Sequence, residues 1–396
     1  MLTFFIRYYS KYNMHENSVI ELSFSALQNN IAFLRRLLGP DVLLSSVIKG
    51  NAYGHGIAEF VPMACRCGIT HFSVFGSEEA WQAKQVAAPG ATILIMGMIE
   101  GEALEWAIEN EVEFFVFDMQ RLQDAVTFSK KTGKPARVHI ELETGMNRTG
   151  FTEKDIAKVT KLLKNEAAHL EFKGLCTHYA GAESSGNFYR VQGQMLAYEL
   201  LYDLFLKAGL KPQLRHTACS AAAIAFPETR MDMVRIGILQ YGLWPSPETL
   251  IQYLNKNKTK EDPLQRVIGW KSTVMSLKKV NPGDFIGYGT SYMAQQKMNL
   301  AVVPIGYAHG YSRSLSNQGL VAIKGQICRV IGTVNMNMLV ADISGLKNVQ
   351  KGDEVVLIGK QGKASVSVGS FSEFSNQLNY ELLTRLPEST PRRVVG

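Results

Sequence analysis

Eight short apolar runs recur between residues 40 and 242, each followed by a helix-forming stretch. They are VLLSSVIK from 42, THFSVF from 70, ATILIMG from 91, VEFFVFD from 112, RVHIELE from 137, EFKGLCTH from 171, QLRHTA from 213 and MVRIGILQYG from 233. The segments between them carry apolar residues at helical spacing and good helix formers, as in EEAWQAKQVAA from 78 and RVQGQMLAYELLYDLFLKAG from 190. Runs that are apolar throughout, rather than alternating, belong to strands covered on both faces, which is the condition of a parallel sheet. A doubly wound open sheet would alternate in the same way. Eight strand–helix units predict instead an α/β fold of the (β/α)8 TIM-barrel type.

From about residue 265 the period changes. WKSTVMSLKKV, DFIGYG, LAVVPIGYA, LVAIKGQICRVIGTV, MLVADIS and DEVVLIG are separated by Gly, Asn, Pro and Asp, with no clear helical stretch until SFSEFSNQLNYELLTRL from 370. This predicts a second, mostly β C-terminal domain. The polar stretch NKNKTKED at 255–262 marks an exposed link. The expected division is residues 1–255 and 256–396, with residues 1–20 a candidate to join the second domain. A chain of 396 residues is long for a single domain.

Several function classes are disfavoured. The opening MLTFFIRYYSKYN is interrupted by Arg7 and lacks the apolar core of a secretory signal, and no other segment approaches membrane-spanning length, so a soluble, cytoplasmic protein is expected. The five cysteines are an odd number and scattered, which favours reduced thiols over a disulfide framework. Cys65 and Cys67 have no second pair at zinc spacing, and none of the eight histidines forms an HExxH pattern, so no metal site is expected. The net charge of +7 is spread out, and clusters such as KNKTK at 256 and PRR at 391 lack interleaved aromatics. Such a field suits an anionic small ligand better than nucleic acid.

Residues at the carboxyl ends of barrel strands face the active-site mouth. Lys49 closes the first run, and alone it reads as a lysine extending its amine to water. Other strand ends change the balance. Arg148 lies in the turn ETGMNRTG after the fifth run, His178 closes the sixth, His216 and Ser220 follow the seventh, and Arg235 sits in the eighth beside Gly237. An amine among apolar strands and cations has a lowered pKa, and a neutral amine forms a Schiff base. The cofactor that calls for such a lysine and a phosphate cradle is pyridoxal 5′-phosphate. Ser220, at the start of SAAAIAF, can offer a hydroxyl and helix N-terminal amides, and Gly237-Ile238 can add backbone donors. Ser220 alone reads first as a helix cap.

VIKGNAYGHG is similar to the pyridoxal-phosphate lysine motif of the alanine racemases. The resemblance continues through ETGMNRTG, THYAGA, RHTACSAAA, MVRIGILQYGLWPS, GDFIGYGTSYMA, PIGYAHGYSR and NMNMLVADIS, from about residue 18 to the end. It implies a barrel, a C-terminal β domain and a homodimer with shared active sites. Lys49 is implied as the Schiff-base lysine, acting on the D-form, and Tyr288 as the second base, acting on the L-form in the partner's site. Racemization must remove the Cα proton from one face and return one to the other, and two bases on opposite faces are the simplest device. The resemblance further implies that Tyr53, Ser220, Gly237 and Ile238 hold the phosphate. Arg235 would meet the pyridine nitrogen and Arg148 the phenolic oxygen and substrate. Met336 would offer an amide to the substrate carboxylate, and Tyr307 would stand in the access channel. His178 would pack near the ring and, as a cation with Arg235, lower the pKa of Tyr288. The implied product, D-alanine, serves peptidoglycan.

The chain departs from the family at four positions. Glu141 stands where many members carry a lysine, often carbamylated, and its own negative charge predicts a direct pairing with Arg148. Asn337 and His309 each replace an aspartate, and Glu388 replaces a tyrosine that touches the phosphate. These changes leave alanine as the first expected substrate, with serine or a broader set open. Two other classes share parts of the pattern. A non-catalytic pyridoxal-phosphate barrel would lack Tyr288, and a basic-amino-acid decarboxylase would place a carboxylate where Arg235 stands.

Overall fold

The structure, a computed structural model, describes residues 16–369 and 379–396. The opening MLTFFIRYYSKYN and the first residues of the helix predicted from 370 lie outside the described residues, and the helix Asn379–Thr384 is the part of that prediction that is described. Two compact units divide the chain. One comprises Phe24–Ala52 and Ile57–Val267, the other Tyr53–Gly56 and Ile268–Gly396 together with the segment up to Ser23. The first strand, β1 (Ser18–Ser23), belongs to the second unit.

The first unit is the barrel. Its strands are β2 (Leu43–Val47), β3 (His71–Val74), β4 (Thr92–Ile95), β5 (Glu113–Val116), β6 (Ala136–Glu141), β7 (Leu170–Cys176), β8 (Leu214–His216) and β9 (Met233–Ile236). Six fall inside one of the eight apolar runs and β6 and β7 begin one residue before theirs, and neighbours pair in parallel in the order β8-β7-β6-β5-β4-β3-β2-β9. The ring is nearly closed. Between β8 and β9 the bonds are isolated ones, from Asp232 N to Arg215 O and from Arg235 N to Ala218 O, both 3.1 Å. Helices between and after the strands supply the outer layer, so the strands are buried on both faces, as in β3 and β5, where every residue is buried. Asn30, fully buried on the helix Phe24–Leu38, donates to the carbonyls of Gln240 (3.1 Å) and Gln265 (2.7 Å) and accepts from Gln265 N at 2.8 Å. It thereby ties the unit's last segment to its first helix.

The barrel interior is partly polar. His71, Glu113, His139, His216 and Arg235 are all buried there. Arg235 Nη1 lies 2.5 Å from His216 Nδ1, His216 Nε2 lies 2.8 Å from His139 Nδ1, and His139 Nε2 lies 2.8 Å from Glu113 Oε2. Burial lowers the pKa of His139 despite its bond to Glu113, and burial together with Arg235 lowers that of His216 still further. Burial acts on Glu113 in the opposite sense, but the hydrogen bond from His139 and the nearby His71 ring hold it well below the usual carboxylate range.

In the second unit, β1, β10 (Ile268–Thr273), β11 (Ser276–Val280), β12 (Met298–Val303), β13 (Leu320–Ile323), β14 (Gln326–Ile331), β15 (Leu339–Asp342), β16 (Glu354–Gln361) and β18 (Arg392–Val395) form one sheet, with β17 (Ala364–Val366) paired to β16. The order is β11-β12-β15-β14-β13-β16-β10-β1-β18. Trp270 and Tyr311 are fully buried, and Ile286, Ala294, Met298, Leu300 and Ile331 form a core cluster. Lys271 on β10 bridges Glu21 of β1 (2.9 Å) and Glu354 of β16 (3.2 Å).

The buried histidines make stability pH-dependent. Their folded pKa values are depressed, so unfolding takes up protons below their ordinary value of 6.5, and the stability present above that value is lost as pH falls. Glu113 acts in the same direction at lower pH. The denaturant midpoint is expected to fall between about pH 7.5 and about pH 5, with each histidine contributing up to about 1.4 kcal/mol per pH unit below about 6.5. Equal midpoints at the two pH values would contradict this.

Candidate active site

Lys49 follows β2 after one residue, at the carboxyl end of the strand. That end is held firmly. Gln240 Nε2 and Tyr241 Oη both donate to the Val47 carbonyl, at 3.0 and 2.9 Å, and Ser46 Oγ donates to Gln240 Oε1 at 2.7 Å. Immediately after Lys49 the backbone turns left-handed over Gly50, Asn51, Ala52, Tyr53 and Gly54, with φ between 51° and 78°. Three of these residues have a Cβ, and each costs about 1–2 kcal/mol in this region. Glu79 helps offset the cost. Its carboxylate accepts from Gly50 N at 2.6 Å, Asn51 N at 3.3 Å and Phe75 N at 2.9 Å, while Asn51 Oδ1 accepts from Ile57 N at 2.8 Å. Glu79 was not among the residues singled out in the sequence. It lies on a helix with no motif around it, and only the return of that helix to the β2 end reveals its role.

The Lys49 amine is depressed below its ordinary pKa, first by its crowded surroundings and then by Arg148, with a smaller push from Arg235; Glu79 and Cys219 act against them. The residue keeps an exposed face, and solvent there moderates the shift. His178 stands within the influence of Arg235, Arg148 and Lys49, so these four groups converge as the strand-end reading expects. Its charge differs from expectation. Burial, reinforced by those cations, lowers His178 to about 3, so it is neutral at physiological pH and not the cation predicted.

Arg235, 4 % exposed, donates to the carbonyls of His216 and Thr177, both at 2.8 Å, as well as to His216 Nδ1. Ser220 is buried at the start of a short helix, and its Oγ accepts from Gly237 N at 3.0 Å. Two predicted phosphate ligands on separate strand ends therefore meet, and Ile238 begins the next helical turn. Arg148 is exposed, and its backbone N donates to Glu143 at 3.2 Å. The expected pairing with Glu141 is not formed: among the described residues no ion pair joins the two. Glu141 is buried, hydrogen-bonds Thr149, and has its pKa raised by that burial. The two differ in burial, Glu141 being 5 % exposed and Arg148 exposed. Glu141, Arg148, Thr177 and His178 line one small cleft.

The remaining predicted residues lie in the second unit. Tyr53 makes an edge contact with Tyr380 at 6.1 Å, and the neighbouring Gly54 carbonyl accepts from Arg392 Nη2 at 2.9 Å. The same guanidinium donates to the carbonyls of Pro387, Glu388 and Thr390. Glu388 therefore contributes its backbone to this turn and its side chain is exposed. Tyr307 and Met336 sit on adjoining loops: Tyr307 N donates to Asn335 O and Ala308 N to Met336 O, both at 3.0 Å. Gly306 is required there, because a Cβ would strike those same two carbonyls. Gly306 N donates to His309 Nδ1 at 3.2 Å, so His309 supplies an acceptor in place of the family's aspartate. Tyr288 is 77 % exposed, and its carbonyl accepts from Thr333 Oγ1 at 3.3 Å on the loop leading to Met336. Among the described residues no group of His, Cys, Asp and Glu is placed to hold a metal, and no helix is long and apolar enough to cross a membrane.

Comparison with known proteins bears on the whole chain. Residues 22–245 match the family described as alanine racemase, N-terminal domain, and residues 267–394 match alanine racemase, C-terminal domain. An alanine racemase of Desulforamulus reducens is 33% identical over 385 residues, 97% of this chain and 100% of the relative. The crystal structure of alanine racemase from Streptomyces lavendulae superposes with a TM-score of 0.88 at 28% identity, covering 97% of this chain and 98% of that one. One from Bartonella henselae, described with covalently bound pyridoxal phosphate, gives 0.82 at 25% identity, over 96% and 100%. Since both halves match in order and the likeness spans the relatives nearly end to end, the chain belongs to the alanine racemase family, isomerases that act on an amino acid.

Proposed function

We propose that the protein interconverts L- and D-alanine with pyridoxal 5′-phosphate bound at the barrel mouth, using Lys49 and Tyr288 as its two bases. The observation that carries this is the Lys49 amine, held at a strand end with its pKa lowered by its surroundings and by Arg148. The other residues fit the cofactor. Ser220 and Gly237 are already in contact, and with Ile238 and Tyr53 they would hold its phosphate. Arg235 would face the ring nitrogen, and Arg148 the phenolic oxygen and the substrate carboxylate. His178, neutral, would pack against the ring. When bound, pyridoxal phosphate draws electrons away from Cα of an amino acid held through its amino group. The guanidinium of Arg235 only donates, so at that position it would leave the ring nitrogen unprotonated, tempering that withdrawal and limiting transamination and decarboxylation.

The protein's own groups move the proton. Lys49 Nζ takes the Cα proton of D-alanine, which its lowered pKa favours by enlarging the neutral fraction. In its deprotonated form Tyr288 Oη would take that of L-alanine from the opposite face, the proton ending as its phenol O–H. Its exposure suits a side chain that completes the site of a second copy, so the active species would be a homodimer. Met336 and Tyr307 would border the substrate. In a cytoplasmic setting the D-alanine formed would supply peptidoglycan.

The primary test is enantiomer-resolved conversion of L-alanine by purified protein with added pyridoxal phosphate. Conversion is expected in the wild type, with loss of both activity and yellow colour in Lys49→Ala; turnover that persists in Lys49→Ala would overturn the assignment. Tyr288→Phe is expected to keep the colour and lower kcat from L-alanine by roughly 100-fold or more. Sharing of sites predicts that mixing inactive Lys49→Ala and Tyr288→Phe subunits restores up to roughly a quarter of wild-type activity, because each mixed dimer holds one intact site. No recovery on mixing would mean that each subunit completes its own site.

A further inference from the structure

The proposed chemistry stops at Arg235, but the hydrogen bonds do not. A guanidinium can only donate, so His216 Nδ1, 2.5 Å from Arg235 Nη1, is an acceptor. A neutral His216 then carries its proton on Nε2, and that N–H points at His139 Nδ1 at 2.8 Å. His139 accordingly carries its proton on Nε2 and donates to Glu113 Oε2 at 2.8 Å. Each assignment forces the next. A carboxylate accepts only, so Glu113 is the one end at which such a series can stop without an unmatched donor.

The fold makes specific room for this series. A register irregularity between β6 and β7 leaves Lys173 without a partner in the ladder and sets Gly174 opposite His139. A Cβ at Gly174 would meet His139 Nδ1 and His216 Nε2, the two atoms that the central hydrogen bond joins. The unpaired Lys173 places its Nζ 3.9 Å from Glu113 Oε1, and His71 Nε2 lies 3.5 Å from Glu113 Oε2. Further out, Lys173 also meets Glu171 at 3.4 Å and Gln213 at 2.7 Å.

We infer that Glu113 is a positioning residue for racemization: through His139 and His216 it sets the face that His216 presents to Arg235, and so the orientation of the guanidinium at the barrel mouth. The inference rests on the reading that Arg235 meets the cofactor's ring nitrogen. Without an acceptor at 113, His139 is free to carry its proton on Nδ1. His216 would then turn an N–H toward Arg235, donor against donor. The carbonyls of His216 and Thr177 would still hold the guanidinium, so the effect falls on its orientation rather than on its presence.

The test uses 15N-histidine-labelled full-length protein, first without cofactor and then loaded. Both His139 and His216 are expected as neutral Nε2–H tautomers in the wild type. Glu113→Leu should disturb both tautomers and lower kcat about tenfold or more with KM changed less than about threefold. Glu113→Gln, whose amide oxygen can still accept from His139, should restore the tautomers and most of kcat. An Nδ1–H proton on either histidine in the wild type overturns the inference, as does Glu113→Leu with tautomers and kcat unchanged. If Glu113→Leu fails to fold, the wild type and Glu113→Gln decide, and altered tautomers in Glu113→Gln count against it. The cofactor-free spectra do not depend on pyridoxal phosphate, so a protein that takes up no cofactor would defeat the proposed function without being mistaken for failure of the Glu113 series.

Discussion

A cation buried inside a parallel barrel must be satisfied by the barrel itself, and Arg235 sets the terms for most of what surrounds it. Its five N–H donors need acceptors where no bulk water reaches. For the four on Nη1 and Nη2 the structure supplies the ends of two neighbouring strands: the carbonyls of Thr177, His216 and Thr217, and the imidazole of His216. Each of these acceptors is available because the ring nearly closes. The same guanidinium then acts on its neighbours electrostatically, pushing down His178 and His216 and, less strongly, Lys49. Burial is the larger cause of both histidine shifts, and the fixed positive charge of Arg235 adds to it, joined at His178 by Arg148 and Lys49.

Neutral histidines change the chemistry available. A cationic His178 would compete with Arg148 and Arg235 for anionic oxygen, whereas a neutral one is an apolar face with one donor and one acceptor. The mouth thus separates its tasks: permanent charge on two arginines, a titratable amine on Lys49, and uncharged packing from His178. Glu141 fits the same division. Buried and hydrogen-bonded to Thr149, it forms no ion pair with Arg148, which is exposed.

The left-handed turn after Lys49 shows how the site is held in place. Conformations that cost about 1–2 kcal/mol per residue persist only where the surroundings over-determine them. Here Glu79 ties the turn to the barrel rim, and the Val47 carbonyl is fixed by both Gln240 and Tyr241. The loops bearing Tyr307 and Met336 are held differently, by backbone hydrogen bonds that depend on the missing side chain of Gly306.

Much of this was legible in the sequence. The eight apolar runs specify the barrel because a strand covered on both faces leaves the same mark wherever it occurs, and the change of period near residue 265 marks the β-rich remainder for the same local reason. That Lys49, Ser220, Gly237 and Arg235 lie at or near the carboxyl ends of barrel strands was legible because the strands share one direction. The tertiary structure alone decided the charge of His178, the failure of Glu141 to pair with Arg148, the part of Glu79 and the series from Arg235 to Glu113. All of these depend on which residues of strands distant in sequence come to face each other once the ring is nearly closed. That register turns on details such as the single extra residue that sets Gly174 opposite His139, and periodicity along the chain carries no trace of it.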